Sequence, residues 1–185
     1  MANTNNDTKV VTGKVRFSYA HVFEPVTDDE GKEKYSVSIL IDKDDKKTVK
    51  AVETAIENAK KAGITKFGGK IPANMKLPLR DGDEERPEDE AYKGKYFVNA
   101  NAGTKPGLID RKGRAILDST EFYSGCYGFA SISFYAFNTK GNKGIACGLN
   151  NIMKTEDGES LGGRSRAEDD FADLIDDDDD ESFLD

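Results

Sequence analysis

The chain has 185 residues, of which 36% are hydrophobic and 34% charged, and its 27 Lys and Arg against 35 Asp and Glu leave a net charge of −8. That length suffices for one domain with a real core, and no run of 18 or more apolar residues is available for a membrane helix. Two cysteines, Cys126 and Cys147, are too few for a disulfide framework or a zinc site, and the polar start has no signal-peptide pattern, so a reduced, intracellular compartment is expected.

The first element is a strand over Val11 to Phe23. It sets Val11, Val15, Phe17, Tyr19, His21 and Phe23 on one face and Lys14, Arg16 and Ser18 on the other. His21, the one histidine, is thereby expected in or at the edge of the core rather than in catalysis. After the turn signal Asp28-Asp29-Glu30-Gly31, Tyr35, Val37, Ile39 and Ile41 alternate with Ser36 and Ser38 in a second strand, antiparallel to the first. Val49, Val52, Ile56 and Ala59 then step by 3, 4 and 3, which predicts a helix capped by Asp44 or Asp45 and ended by Gly63. Gly68 to Glu90, with Pro72, Pro78 and Pro87, reads as a long irregular surface excursion.

Strands resume at Lys95 to Asn101. A hairpin joins Tyr127–Phe137 to Gly144–Leu149; centred near Gly141, it pairs Tyr135 with Cys147 and leaves Cys126 out of disulfide register. Five strands and one helix without βαβ alternation predict a mainly β, OB-fold-like five-stranded barrel. The boundary falls after Arg166, giving a body over 1–166 and a tail over 167–185. That tail carries eleven carboxylates and no Lys or Arg; Asp81 to Glu90 adds seven more against one Arg, so the rest of the body is net positive by about nine. Self-repulsion predicts a disordered tail, Asp176 to Glu181 above all, with one transient helical turn at Phe171, Leu174 and Ile175.

Little in the sequence points to catalysis. There is no nucleophile elbow, Walker loop or dinucleotide fingerprint, and no cofactor or metal is expected. The exception weighed is the acidic loop 81–90, whose clustered carboxylates would suit a metal-dependent nuclease. A third reading is an acidic DNA mimic that binds proteins. The more informative pattern is aromatic. Between Tyr127 and Phe137, alternation gives a compact face of Gly128, Ala130, Ile132, Phe134 and Ala136. The opposite face mixes Tyr127, Phe129, Tyr135 and Phe137 with Ser131 and Ser133. Phe97 sits likewise among Lys95, Asn99 and Asn101. Bases stack on such rings irrespective of sequence, and Lys14, Arg16, Lys95, Lys105, Arg111, Lys112, Arg114, Lys140 and Lys143 supply charge for phosphates. Asn99, Asn101 and Ser131 add hydrogen-bonding groups. The bland alternative is that the excursion folds over these aromatics and buries them as core.

Ser124-Gly125-Cys126-Tyr127, Phe134-Tyr135-Ala136-Phe137, Lys140-Gly141-Asn142-Lys143-Gly144 and Gly148-Leu149-Asn150-Asn151 resemble the C-terminal core of phage-encoded single-stranded DNA-binding proteins with an OB-fold. Ala167-Glu168-Asp169-Asp170-Phe171 and the acidic end with a near-terminal Phe match as well. The resemblance covers about residues 8–185. It implies a protein that coats single strands without catalysis during phage DNA replication, recombination and repair, in the cytoplasm of the infected bacterial host. It also implies that the tail, through Phe183 and Leu184, contacts replication proteins such as phage DNA polymerase or helicase. No membrane partner is expected, and a homodimer stays open. The chain has no Trp, so stacking falls to Tyr and Phe.

Overall fold

A computed structural model describes residues 7–161 and 171–174. Its strands are β1 (Lys9–Val11), β2 (Val15–Thr27), β3 (Glu33–Asp42), β4 (Leu79–Asp81), β5 (Lys95–Ala102), β6 (Gly107–Ile109), β7 (Tyr127–Thr139) and β8 (Asn142–Glu156). The helices are α1 (Lys46–Ala62) and the single turn α2 (Gly82–Glu85). Five strands close on themselves. β2 pairs with β3, β3 with β5, β5 in parallel with β8, β8 with β7, and β7 back with β2 at Val15↔Gly128 and Arg16↔Tyr127. The architecture is thus mainly β with a closed five-strand ring and one main helix, as the alternation predicts.

The inner face of β7 holds Ala130, Ile132, Phe134 and Ala136, all buried with Phe17, Val37, Ile39 and Val98. Against this core α1 presses Val52, Ala55, Ile56 and Ala59. Its start is capped by Asp45, which accepts a hydrogen bond from the Thr48 N–H at 3.1 Å, and Gly63 follows its last turn. A Cβ at Gly63 would stand 2.1 Å from the Ala136 Cβ, so glycine there lets helix and strand approach closely.

Several expectations are corrected. The first strand is two. At Thr12–Gly13 the chain leaves the ladder, because the Thr12 hydroxyl accepts from Ala130 N–H and Gly13 N–H donates to the Thr48 hydroxyl. β1 therefore pairs with β7, and Val11 is exposed while Val15 and Phe17 are buried. Farther along β2, Tyr19 takes φ +46° and the register with β3 slips between Ser18 and His21. That bulge turns Tyr19 and His21 outward and Val22 inward, so the histidine is a surface residue and not part of the core.

The 68–90 excursion is not wholly irregular. β4 pairs with β5 at Leu79↔Val98, on the stretch of β5 that precedes its pairing with β8 at Ala100. In the β7–β8 hairpin, Lys140 (φ +53°) and Gly141 (φ +87°) make a two-residue turn between Thr139 and Asn142. Cys147 consequently pairs with Phe134, one residue from the expected Tyr135. Both thiols are free and buried. Loss of solvent pushes the Cys126 pKa up to about 11 and raises that of Cys147 further. A 3-10 turn spans Ala172–Leu174, where Leu174 N–H bonds the Phe171 carbonyl at 2.9 Å, as the turn expected around Phe171 and Leu174 requires. Ile175, Asp176 to Glu181, Phe183 and Leu184 lie outside the described residues.

Candidate nucleic-acid interface

Because side chains alternate along a strand, burial of Phe134 and its neighbours places Tyr127, Phe129, Tyr135 and Phe137 together on the outer face of β7. At one end, the Lys14 ammonium and Arg16 guanidinium lie 5.4 and 5.3 Å from the Tyr127 ring centroid. Lys14 also pairs with Glu156. Arg16 has committed its donors to the carbonyls of Gly125 at 3.0 Å and Glu159 at 2.8 Å. With Leu161 N–H bonded to the Ser124 carbonyl, these contacts pin residues 157–161 beside Tyr127. Chain beyond Leu161 therefore starts next to this cationic, aromatic end.

In the middle of the face, Phe129 shares an apolar groove with Val11, Ile109 and Met153. The Asn150 amide donates to the hydroxyls of Ser133 at 3.0 Å and Ser131 at 3.5 Å. At the hairpin end, Tyr135 is 49% exposed and the Phe137 ring lies against Gly144, where a Cβ would come within 2.9 Å of it. Lys143 donates to the Phe67 carbonyl at 3.2 Å, and Lys140 occupies the exposed turn.

The other expected cations are dispersed. Arg111 and Arg114 stand in a tight turn in which Asp110 accepts from the N–H groups of Lys112 and Arg114. The Arg114 and Lys112 backbone bonds, with the Arg114 guanidinium, hold the Asp110 carboxyl below its ordinary range. That turn shares a surface depression with Glu156, the partner of Lys14, so Arg111 and Arg114 belong to the Tyr127 end. Lys95 instead pairs with Asp42 at 3.6 Å, and Lys105 lies over the Phe23 ring at 5.2 Å.

Phe97 departs from its expected position on an open surface. It is 1% exposed, in edge-on contact with Tyr92 at 5.0 Å and packed with Leu40. The excursion does fold over an outer face, but over that of β2–β3–β5 and not that of β7. Tyr92 locks it there, its hydroxyl 3.1 Å from that of Ser38. Arg86, in the same segment, lies over Tyr19, Tyr92 and Phe97 at 5.7, 5.5 and 5.6 Å. Neither Arg86 nor Tyr19 is marked out by its local sequence, since the grouping depends on the β2 bulge and on where the excursion lands.

Three carboxylates of the acidic loop are paired with cations that lie outside it. Lys43 donates to Asp81 at 2.7 Å and to Asp83 at 2.8 Å, and this pairing draws both carboxyls below the ordinary range. Asp81 also accepts from Asp83 N–H, Asp83 from Gly94 N–H and Asp89 from Ala91 N–H, while Glu85 pairs with Arg80. These are capping and bridging geometries. Among the described residues no group of three His, Cys, Asp or Glu is arranged to hold a metal ion.

Known proteins resemble this chain over most of its length. A family model described as the single-stranded DNA-binding protein of Enterobacter phage Enc34 matches residues 8–184. The Enc34 protein solved in complex with single-stranded DNA superposes with a TM-score of 0.76 at 26% identity, covering 88% of this chain and 97% of that one. Protein p50 of Acyrthosiphon pisum secondary endosymbiont phage 1 is 29% identical over 175 residues, 90% of this chain and 94% of its own. The gp2.5 single-stranded DNA-binding protein of bacteriophage T7 shares the fold at 17% identity and a TM-score of 0.60, over 94% of this chain and 97% of its own. The match spans the ring, the excursion and the C-terminal segment alike, and the chain belongs to the family of the Enc34 phage single-stranded DNA-binding protein.

Proposed function

We propose that this protein binds single-stranded DNA with little sequence preference and without catalysis, in the replication, recombination and repair of phage DNA in the host cytoplasm. The observation that carries the reading is its shared fold with the Enc34 protein in its single-stranded DNA complex. The outer face of β7 supports it: aromatic rings for bases, with Lys14, Arg111 and Arg114 near one end and Lys140 and Lys143 at the other for phosphates. The 1–166 body holds this surface. The acidic 167–185 segment is a tail that competes for it and offers Phe183 and Leu184 to a replication protein such as polymerase or helicase.

Binding measured with single-stranded, double-stranded and RNA ligands tests the reading. Single strands are expected to bind tightest, with log K falling by about 0.7 per neutralised phosphate for each unit of log salt. Equal affinity for duplex and single strands would sink it. Labelled single strands incubated with the protein and magnesium or manganese are expected to stay full length, because Lys43 already pairs with Asp81 and Asp83; shortened products would instead support a nuclease. Replacing Phe183 and Leu184 with Ala is expected to leave DNA affinity near wild type and to weaken capture of a purified phage polymerase or helicase.

A further inference from the structure

The helix α1 opens against its own dipole. Its first turn has no acid and holds Lys46 and Lys47, with Lys50 close behind, although the N-terminal end of a helix favours carboxylates. Lys47 and Lys50 share with Lys9 of β1 a groove of about 420 Å³, floored by Val11, Ala51 and Ala55. None of the three lysines has an ion-pair partner among the described residues. Asp7, the one acid of the lining, accepts the Lys9 N–H at 3.0 Å. On this side β1 is also the end strand of the sheet, paired with β7 alone among the described residues. The Thr12 N–H and the Thr8 carbonyl bond β7, so antiparallel alternation points the N–H and C=O of Val11 away from it, where no strand meets them. The Val11 side chain is 67% exposed.

A free strand edge, an aliphatic floor and three uncompensated lysines are what an acidic, extended peptide needs: main-chain partners, a seat for an apolar side chain and counter-charges. Nucleic acid is the other polyanion, but no aromatic ring lines the groove for a base to stack on. The chain itself carries a matching segment. Residues 176–185 hold seven carboxylates around one apolar pair, Phe183 and Leu184. We infer that residues 176–185 dock in the groove between β1 and α1, with Phe183 and Leu184 on its aliphatic floor and the carboxylates against Lys9, Lys47 and Lys50. The 22 residues from Leu161 to Phe183 span up to roughly 75 Å when extended, and a body of this size is roughly 40 Å across, so the tip reaches the groove. Only Val11 is shared with the apolar groove around Phe129, so the tip and a strand on β7 can be bound together. A replication protein that takes Phe183 and Leu184 must first lift them from this corner. Docking rests on the reading of 167–185 as a tail and needs no DNA.

The test uses the full chain without DNA. The protein has no tryptophan, so Phe183→Trp places a single indole at the tip. Its emission is expected to be blue-shifted from that of a synthetic 176–185 peptide carrying the same substitution, and its quenching by acrylamide to be weaker. Adding Lys47→Glu and Lys50→Glu is expected to abolish both differences. Both lysines are exposed and acids suit a helix N-terminus, so the urea midpoint is expected to hold or rise. Lys140→Glu, a reversal in the exposed hairpin turn, is expected to leave the indole shielded. Peptide-like emission from the intact chain would overturn the docking and leave 167–185 a tail. A shielded indole that the paired reversal does not release would overturn the groove as its seat; if it stayed shielded in high salt as well, the tail reading would fail too. Equal release by Lys140→Glu would also overturn the site, since general charge attraction would then hold the tip.

Discussion

Phe134→Ala is expected to destabilise the fold by about 3–5 kcal/mol, the usual cost of emptying a fully buried ring site. Phe134 is 2% exposed in the core, paired across the hairpin with Cys147, and flanked on its own face by Ile132 and Ala136. Tyr135, the next residue, points the other way. Tyr135→Ala is expected to leave stability nearly unchanged and to weaken single-strand binding by about 1–3 kcal/mol, as loss of one stacked ring does. Urea unfolding and anisotropy with a labelled strand separate the two effects. Equal unfolding midpoints for the two variants, with DNA affinity retained in both, would contradict the assignment of faces along β7.

Deletion of residues 167–185 is expected to tighten single-strand binding about tenfold at low salt. The eleven carboxylates of 167–185 begin at Glu168, seven residues beyond Leu161 in the chain, and Leu161 is tied to Ser124 beside Tyr127, Lys14 and Arg16. At about 3.4 Å per residue of fully extended chain, the seven residues from Leu161 to Glu168 span at most roughly 24 Å. On the proposed reading of 167–185 as a flexible tail, such a link gives the acidic segment an effective concentration of about millimolar. A few exposed ion pairs, each contributing about two- to threefold, multiply to the expected factor. Such pairs are screened over about 8–10 Å at ordinary salt, so the gain fades as salt rises. Titrating the intact and shortened proteins with the same strand across a salt series checks this; a deletion that binds no better at low salt would remove the competition mechanism.

Local pattern alone determined a good deal about this protein. The 3.6-residue spacing from Val49 to Ala59 and the acids before it mark α1 to within a residue or two, because helix periodicity and capping are properties of neighbouring residues. Strict alternation from Tyr127 to Phe137 separates a core face from an aromatic outer face, and both survive in the folded chain. The division of charge between body and tail is likewise visible in the amino-acid order. What only the tertiary structure decided is which outward face is covered, and by what. Phe97 and Tyr135 read alike in sequence, each on a strand among polar neighbours, yet one is buried beneath Tyr92 and the other is half exposed. Their fates differ because Arg86 and Tyr92 land on β2–β3–β5 and not over Tyr135, while Lys76 earlier in the segment bridges β8 at Gly144, long-range contacts that no local periodicity encodes. For the same reason Arg16 proved to be a tie for residues 125 and 159, and Lys43 the neutraliser of Asp81 and Asp83. The partners of a charge are brought together by chain closure across tens of residues. Tyr19 turned outward because a single bulge reverses the side-chain parity that alternation assumes, and a bulge is set by the strands on either side of it.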